Sequence, residues 1–564
     1  MRKAVFSFSS SSLTCGIAAL LALHVATLRS QVSTAEPALT AAEVSALLTQ
    51  GAMAINSPAL AVAVVDRGGR ILGVLRRGGA SANGPDIAVT TARAAAMFSN
   101  AEAPLSSRTV RFISGIHFPP GVANTGNAAL YGIENTNRGC DLNASASTFV
   151  SERPRRIDGS VCRPNDTSGC AIGGPIANVG TPNFSAGFST GKIDLLDSGE
   201  PLNVPVNPGG FAIYSGSGRV LGGVGISGLD PDQAEYVAAV TIARAGFALA
   251  PFDPIPFPGG VFIAGLRLPF FSDCLDVECV RARLNANPPL AGAGTFSAGD
   301  VTVQPRAGLA VPTGYLIGPS ASPVAGGLGA DEVRRIVDQS VARALVTRAQ
   351  IRLPLTQPTR MVIAVSDEQG NLLAAFRMDD STVFSFDVAT AKARNAYYFS
   401  TREGYDVLRA SVQRSGYSWE PEPPAGQGWA ITNRTLSFGG QPLFPPGIDL
   451  EKTARGPWFD IFQYDSANPC TEGPGASRGA NRAFSNQSGI VWFPGSAPLY
   501  KGGRLIGGVG VSGDGVEQDD YVTAAATVGF DAPEQLRADR SSIRTPDGLV
   551  RLPYWKFPRN PEFR

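Results

Sequence analysis

Histidine is nearly missing from this chain. Only His24 and His117 occur in 564 residues. Nucleophilic catalysis by Ser-His-Asp or Cys-His therefore has at most one imidazole to draw on outside the first thirty residues, at His117. Charge of one sign is also lacking: 48 Lys and Arg face 47 Asp and Glu, for a net charge near +1. That balance gives no reason to expect nucleic acid or an anionic membrane surface as a partner. No group of His, Cys and Asp has zinc spacing, and no Cys-x-x-Cys-His haem-attachment sequence is present. A long apolar run is lacking everywhere except near the start. There, Arg2 and Lys3 precede a short apolar stretch from Leu13 to Ala26, followed by small and polar residues. This pattern predicts a signal peptide over residues 1–35 and an exported protein, periplasmic or extracellular, with no stable membrane span. Removing Cys15 leaves six cysteines, Cys140, Cys162, Cys170, Cys274, Cys279 and Cys470. An even number in an oxidising compartment predicts structural disulfides.

Glycine (65) and proline (43) are abundant, about a fifth of the chain against an average near 12%. Turns and irregular loops must cover a smaller regular scaffold. Within it, Leu221-Gly-Gly-Val-Gly-Ile-Ser-Gly228 returns as Ile506-Gly-Gly-Val-Gly-Val-Ser-Gly513. Each is followed by Gln-x-x-Tyr (Gln233 and Tyr236, Gln518 and Tyr521), so the chain reads as an internal duplication. Both copies open with an amphipathic helix, the first capped by Thr40 and Glu43, the second starting at Asp331. A hairpin follows in each, Leu60–Asp66 into Arg70–Arg76 and Met361–Asp367 into Asn371–Arg377, with Gly69 and Gly370 in the turns. Helices from Asp86 to Ser99 and from Asp387 to Ser400 come next, rich in small residues that let a helix lie close on a sheet. Both copies pass through Phe-Pro-Pro-Gly (118–121 and 444–447) and end in Arg-Leu-Pro-aromatic.

Helix, hairpin, helix, hairpin, helix predicts an α/β fold: two tandem copies of an antiparallel sheet covered by helices, with long loop insertions. The expected boundaries are 36–250 for the first copy, with an insertion at 122–208, and 328–532 for the second, with an insertion at 448–493. A Pro/Gly-rich linker at 251–327 and a C-terminal tail at 533–564 complete the division. The Gly-Gly-Val-Gly segments lack the Gly-Lys-Ser/Thr ending of a phosphate loop, and close approach of a helix to a strand explains them better.

These landmarks resemble the GlcG/HbpS-like family, often described as haem-binding or haem-degrading proteins. The second copy carries Lys392-Ala-Arg394-Asn-Ala396 with Phe399, then Gly507–Gly513, then Glu517-Gln-Asp-Asp520. The first copy departs from the pattern: Thr91 stands for the lysine and Ala234 for the aspartate. The resemblance implies binding of a small ligand, with haem or a related tetrapyrrole leading, and assembly into oligomers.

Candidate ligand-binding residues follow from the paired reading. His117 faces Leu443 in the second copy, so it is a candidate haem-iron ligand specific to the first; a loop histidine without a partner is the plainer reading. Arg93 and Arg394 occupy one position of the second helix and could clamp a carboxylate. Asp66 and Asp367 end the first strand of each hairpin, and an Arg–Asp or helix-end brace would account for all four. Lys392, present in one copy only, is the candidate that matches the family's lysine. Ser227 and Ser512 are expected to shape a turn and cap the final helix. Three functions compete: an exported non-catalytic binding protein for haem or another planar anionic molecule; a metal-independent enzyme using Lys392, Arg394 and Asp367; and a structural or assembly subunit contacting protein partners through the insertions.

Overall fold

The computed structural model describes residues 37–81, 84–115, 207–249, 261–263, 266–272, 292–354, 356–441, 443–445, 454–467 and 489–563. The chain begins its regular structure with helix α1 (Ala41–Ala54). The Thr40 hydroxyl accepts from the Glu43 amide at 3.2 Å, and the Glu43 carboxylate accepts from the Thr40 amide at 2.7 Å. This reciprocal cap satisfies two amides that helix geometry leaves orphaned. Strands β1 (Ala61–Asp66) and β2 (Ile71–Arg76) form the first hairpin, closed at Gly69 with φ of 83°. Helices α2 (Gly84–Phe98) and α3 (Ser107–Gly115) follow. Beyond the insertion come β3 (Gly210–Tyr214), β4 (Val220–Ser227) and α4 (Pro231–Arg244).

The stretch expected as a linker contributes β5 (Val301–Val303) and β6 (Gly314–Ile317). Then the pattern repeats with α5 (Ala330–Val346), β7 (Val362–Asp367), β8 (Leu372–Arg377) and α6 (Ser385–Ser400). Helix α7 (Arg402–Arg414), strand β9 (Ser418–Glu420), and helices α8 (Asn433–Gly439) and α9 (Phe459–Ala467) lie between it and the next hairpin. That hairpin is β10 (Ser496–Lys501) and β11 (Arg504–Ser512), followed by α10 (Val516–Ala526). Last come β12 (Ser542–Thr545) and β13 (Gly548–Arg551).

Two five-stranded antiparallel sheets result, ordered β3-β4-β1-β2-β5 and β10-β11-β7-β8-β6. The order is the same in both, and β5 and β6 each add the strand beyond the first hairpin. Alternation along β1 sends Ala61, Ala63 and Val65 to one face, against Ala88, Ala92 and Ala96 of α2. Val62 and Val64 point to the other face, where α1 supplies Leu47 and Leu48 and α4 supplies Val237 and Ile242. An α/β architecture of helix-covered antiparallel sheets is thus observed.

The repeated glycines make this packing possible. A methyl group at Gly225 would sit 1.9 Å from the Ala88 carbonyl oxygen, and one at Gly510 would sit 2.1 Å from that of Ala389. These positions have no room for any side chain, because a helix backbone occupies the space.

Several expectations need correction. No cysteine lies among the described residues, so no disulfide holds them, and the disulfide staples expected from the even cysteine count are not found. All six of those cysteines fall outside the described residues, as does almost all of the insertion at 122–208. Ser227 and Ser512 do not cap the final helix. Their hydroxyls instead bond the start of the second helix, to the Gly84 carbonyl at 2.6 Å and the Ser385 hydroxyl at 3.2 Å. The sequence also gave no warning of α7 or of the third sheet, β9-β12-β13, which draws the expected C-terminal tail into the fold. A separate aromatic core containing Trp419, Trp429, Trp458 and Trp492 lies in this region. No helix of the described residues is long and apolar enough to cross a membrane.

Candidate functional site

The paired candidates separate once their partners are known. Arg93 and Arg394 are both buried, and each donates through Nε to the glycine carbonyl of its own hairpin turn: Gly69 at 2.7 Å and Gly370 at 2.9 Å. Asp66 accepts from the Arg70 amide at 2.9 Å and the Leu309 amide at 3.2 Å, and pairs with the Arg70 guanidinium. Asp367 accepts from the Gln369 and Asn371 amides, both at 2.9 Å, and from the Ser322 hydroxyl at 3.0 Å. In each half the aspartate closes the turn and holds the segment arriving from residues 305–325. Both arginine–aspartate sets are therefore engaged in bracing hairpin ends.

Lys392 is placed elsewhere. Gly507 pairs with Asp367 and Ser512 with Val362, so the Ser512 end of β11 lies five strand positions from Asp367, about 17 Å. Near that end the Lys392 ammonium donates to the Val511 carbonyl at 2.8 Å and to Asp519 Oδ2 at 2.9 Å. It also lies 4.9 Å from the centroid of the Phe493 ring. Gly495, at φ of 113°, leaves space for the pair: a methyl group there would be 2.6 Å from the Asp519 side chain and 2.8 Å from Lys392 Nζ.

Burial acts on both partners in the same sense, toward their neutral forms. It pushes the Asp519 carboxyl up to about 7 against the pull of Lys392, with Asp520 and Asp514 adding to the rise. Burial lowers Lys392 against the opposing pull of Asp519. Asp519 Oδ1 has no hydrogen-bond partner among the described residues. Here the two departures of the first half prove to be one: Thr91 and Ala234 replace both members of a single ion pair. The Thr91 hydroxyl turns back to the Ile87 carbonyl at 2.6 Å instead.

The neighbouring acid behaves differently. Asp520 accepts from Arg434 Nε at 2.7 Å and from the Lys556 amide at 3.1 Å, while Thr435 reaches the Pro553 carbonyl at 2.7 Å. The first half reproduces each of these contacts. Glu235 accepts from Arg108 Nε at 2.8 Å and the Ser272 amide at 2.7 Å, and Thr109 reaches the Pro269 carbonyl at 2.6 Å. This shared clasp explains why the Arg-Leu-Pro-aromatic tails agree. Aligning the Phe-Pro-Pro-Gly segments sets Arg108 opposite Arg434, a signal the sequence carried.

Asp519 also lines a pocket where the two halves meet. The first half contributes Phe98, Leu105 and Ile113, and the second contributes Ile351, Phe384 and Phe493. The space between them is small, about 30 Å³, and Gln350 and Ser512 line it as well. The Phe98 and Phe384 rings stack across the seam with centroids 4.0 Å apart and planes within 3°. Beside the pocket, buried Arg352 ties the halves together. It pairs with Glu102 of the first half and Asp380 of the second, each at 2.8 Å, and with Asp514. The Asn100 amide adds a bond to the Ile351 carbonyl at 3.2 Å. Of the six candidates read from the sequence, Lys392 lies behind this pocket, bonded to the lining residue Asp519; Arg93, Arg394, Asp66 and Asp367 lie at the turns, and His117 lies outside the described residues. Asp519, Arg352 and the aromatic walls were missed.

Among the described residues no group of three or more His, Cys, Asp or Glu is arranged to hold a metal ion. Comparison with known proteins adds a partial relationship. Residues 337–448 and 451–527, about a third of the chain, match the family model described as "Haem degrading protein HbpS-like". No curated protein matches the chain. Two solved structures are similar. One is titled "Crystal Structure of PduOC:Heme Complex", at 18% identity over 37% of this chain and 97% of that one, with a TM-score of 0.19. The other is the Klebsiella pneumoniae protein ORFY, at 19% identity over 38% of this chain and 97% of that one, with a TM-score of 0.19. Part of the chain, within residues 337–527, therefore has a distant relationship to the HbpS/GlcG-like fold family.

Proposed function

We propose that this protein is a non-catalytic binding protein for a small molecule. Haem or a related planar tetrapyrrole is the first candidate. The observation that carries the reading is the match of residues 337–448 and 451–527 to a family model described as haem-degrading and HbpS-like. The haem candidate draws on the description of the family matched by the second half. The reading includes export after removal of residues 1–35 and the tandem division at 36–250 and 328–532.

The enzyme reading needs an available amine at Lys392. Its ammonium instead donates to Asp519 and Val511, which favours binding over catalysis. The test is a haem titration of residues 36–564, followed by absorbance, beside His117→Ala. Saturable change in the Soret band at one haem per chain, lost or shifted in the variant, is expected. A featureless titration would overturn the haem candidate.

A further inference from the structure

The two halves are unequal at one connection. Six residues, 55–60, join α1 to β1, whereas fifteen, 347–361, join α5 to β7. The longer connection folds back on itself as a narrow antiparallel ladder. The Thr359 amide donates to the Thr347 carbonyl and the Ala349 amide to the Gln357 carbonyl, both at 2.9 Å. The opposite edge, along residues 346–348, is left for another strand. The chain's own residues 561–563 lie on it. The Arg348 amide donates to the Pro561 carbonyl at 2.7 Å, the Phe563 amide donates to the Val346 carbonyl at 3.2 Å, and Thr347 faces Glu562 in antiparallel register.

Side chains read what the backbone holds. The Glu562 carboxylate pairs with Arg343 and accepts from the Tyr521 hydroxyl at 2.5 Å. Arg343 also donates to the Tyr521 hydroxyl at 2.7 Å, so this seat is held together without the glutamate. The Arg348 guanidinium lies 5.7 Å from the centroid of the Phe563 ring and donates through Nε to the Glu562 carbonyl at 3.2 Å. The seat is shallow. Glu562 keeps 44% of its side chain exposed, and Arg559 and Asn560 before it are exposed. A segment held by solvent-facing bonds with little burial opens at low cost.

We propose that the edge at 346–348 is a peptide-docking site for an extended segment carrying a glutamate followed by an aromatic residue. Residues 559–563 occupy it in cis until such a segment displaces them. Backbone pairing along the edge holds an extended chain, the Arg343–Tyr521 seat selects the carboxylate, and Arg348 selects the ring. The short connection at 55–60 gives the first half no such edge, so one peptide binds per chain.

The experiment uses a fluorescein-labelled peptide with the sequence of residues 558–564 and reads its anisotropy. It is titrated with the chain 36–564 and with a version ending at Pro558, whose folding is checked by circular dichroism. Saturable binding at one peptide per chain is expected for the shortened protein. Binding to the full chain should be at least about ten-fold weaker, because its own segment competes at high effective concentration. Replacing the peptide's glutamate by alanine should also cost at least about ten-fold, as loss of hydrogen bonds to a charged group implies. No saturable binding to the folded shortened protein, equal binding to both proteins, or indifference to the glutamate would each overturn the proposal. Should the shortened protein fail to fold, Glu562→Ala in the full chain serves instead. It loosens the resident segment and should bind the peptide more tightly than wild type; unchanged binding would overturn the proposal.

Discussion

At the residue scale, the informative contrast is between Lys392–Asp519 and the Thr91–Ala234 pair that replaces it. Removing one partner of a buried ion pair leaves an uncompensated charge and costs about 3–5 kcal/mol, whereas removing both together costs far less. At pH 8, where Asp519 carries its charge, Lys392→Thr alone is therefore expected to destabilise the protein by up to about that amount in urea unfolding. The double variant Lys392→Thr/Asp519→Ala, which copies the first half, should recover most of the loss. Additive losses would show that the two residues do not act as a pair. The same pair sets a pH dependence. Asp519 rises from 3.8 in the unfolded chain to about 7 in the native state, so the native state holds a proton across that window. Its contribution to stability is complete below pH 3.8 and disappears as pH rises through about 7. Lys392 is shifted downward, so its contribution has the opposite sign and grows at alkaline pH. Between pH 4.5 and 7 the acid dominates. There the stability difference between wild type and the double variant should fall as pH rises; a rising difference would contradict the assignment.

At the scale of elements, the strands with glycine at every second or third position are the firmest link from sequence to packing. Gly510 faces the Ala389 carbonyl and the Ala393 amide of α6, within 2.6 Å of where a methyl group would sit. Gly510→Ala must lift that helix from the sheet. Overpacking of this kind costs about 1–3 kcal/mol, and because backbone atoms are the obstacle the upper end is expected, read as a lowered Tm. Gly502→Ala in the β10–β11 turn has open space around it but a φ of 59°, and should cost less, about 1 kcal/mol. The helices, hairpins and Gly-rich strands were legible because each rests on local periodicity or turn chemistry. Helix α7 and the three-stranded sheet were not, since β9 and β12 pair across more than 120 residues, Glu420 with Ser542 and Ser418 with Arg544, and each is too short to show the alternating apolar pattern that marks a strand. The Lys392–Asp519 pair shows the same limit. Both positions stood out as departures between the halves, but their contact spans 127 residues and emerges only in the folded chain.

For the whole molecule, the distinctive feature is the seam between the two five-stranded sheets and their helices. Arg352 carries three carboxylates from both sides of it, and Phe98 stacks on Phe384 across it. Arg352→Met is expected to cost about 3–5 kcal/mol, by leaving Asp380 and Asp514 buried without their cation. Calorimetry should then show the two halves melting in separate steps; a single undiminished transition would mean that the seam is held by other contacts. The pocket between the halves could not be read from the sequence, because its walls come from the end of α2, the start of α6 and the turn after β11. None of these segments is marked as a binding site by composition or motif.

The most direct measurement is haem binding by absorbance to the chain of residues 36–564, with circular dichroism confirming that it is folded. Saturable binding at one haem per chain is expected. A featureless titration of the folded protein would contradict a haem-binding role.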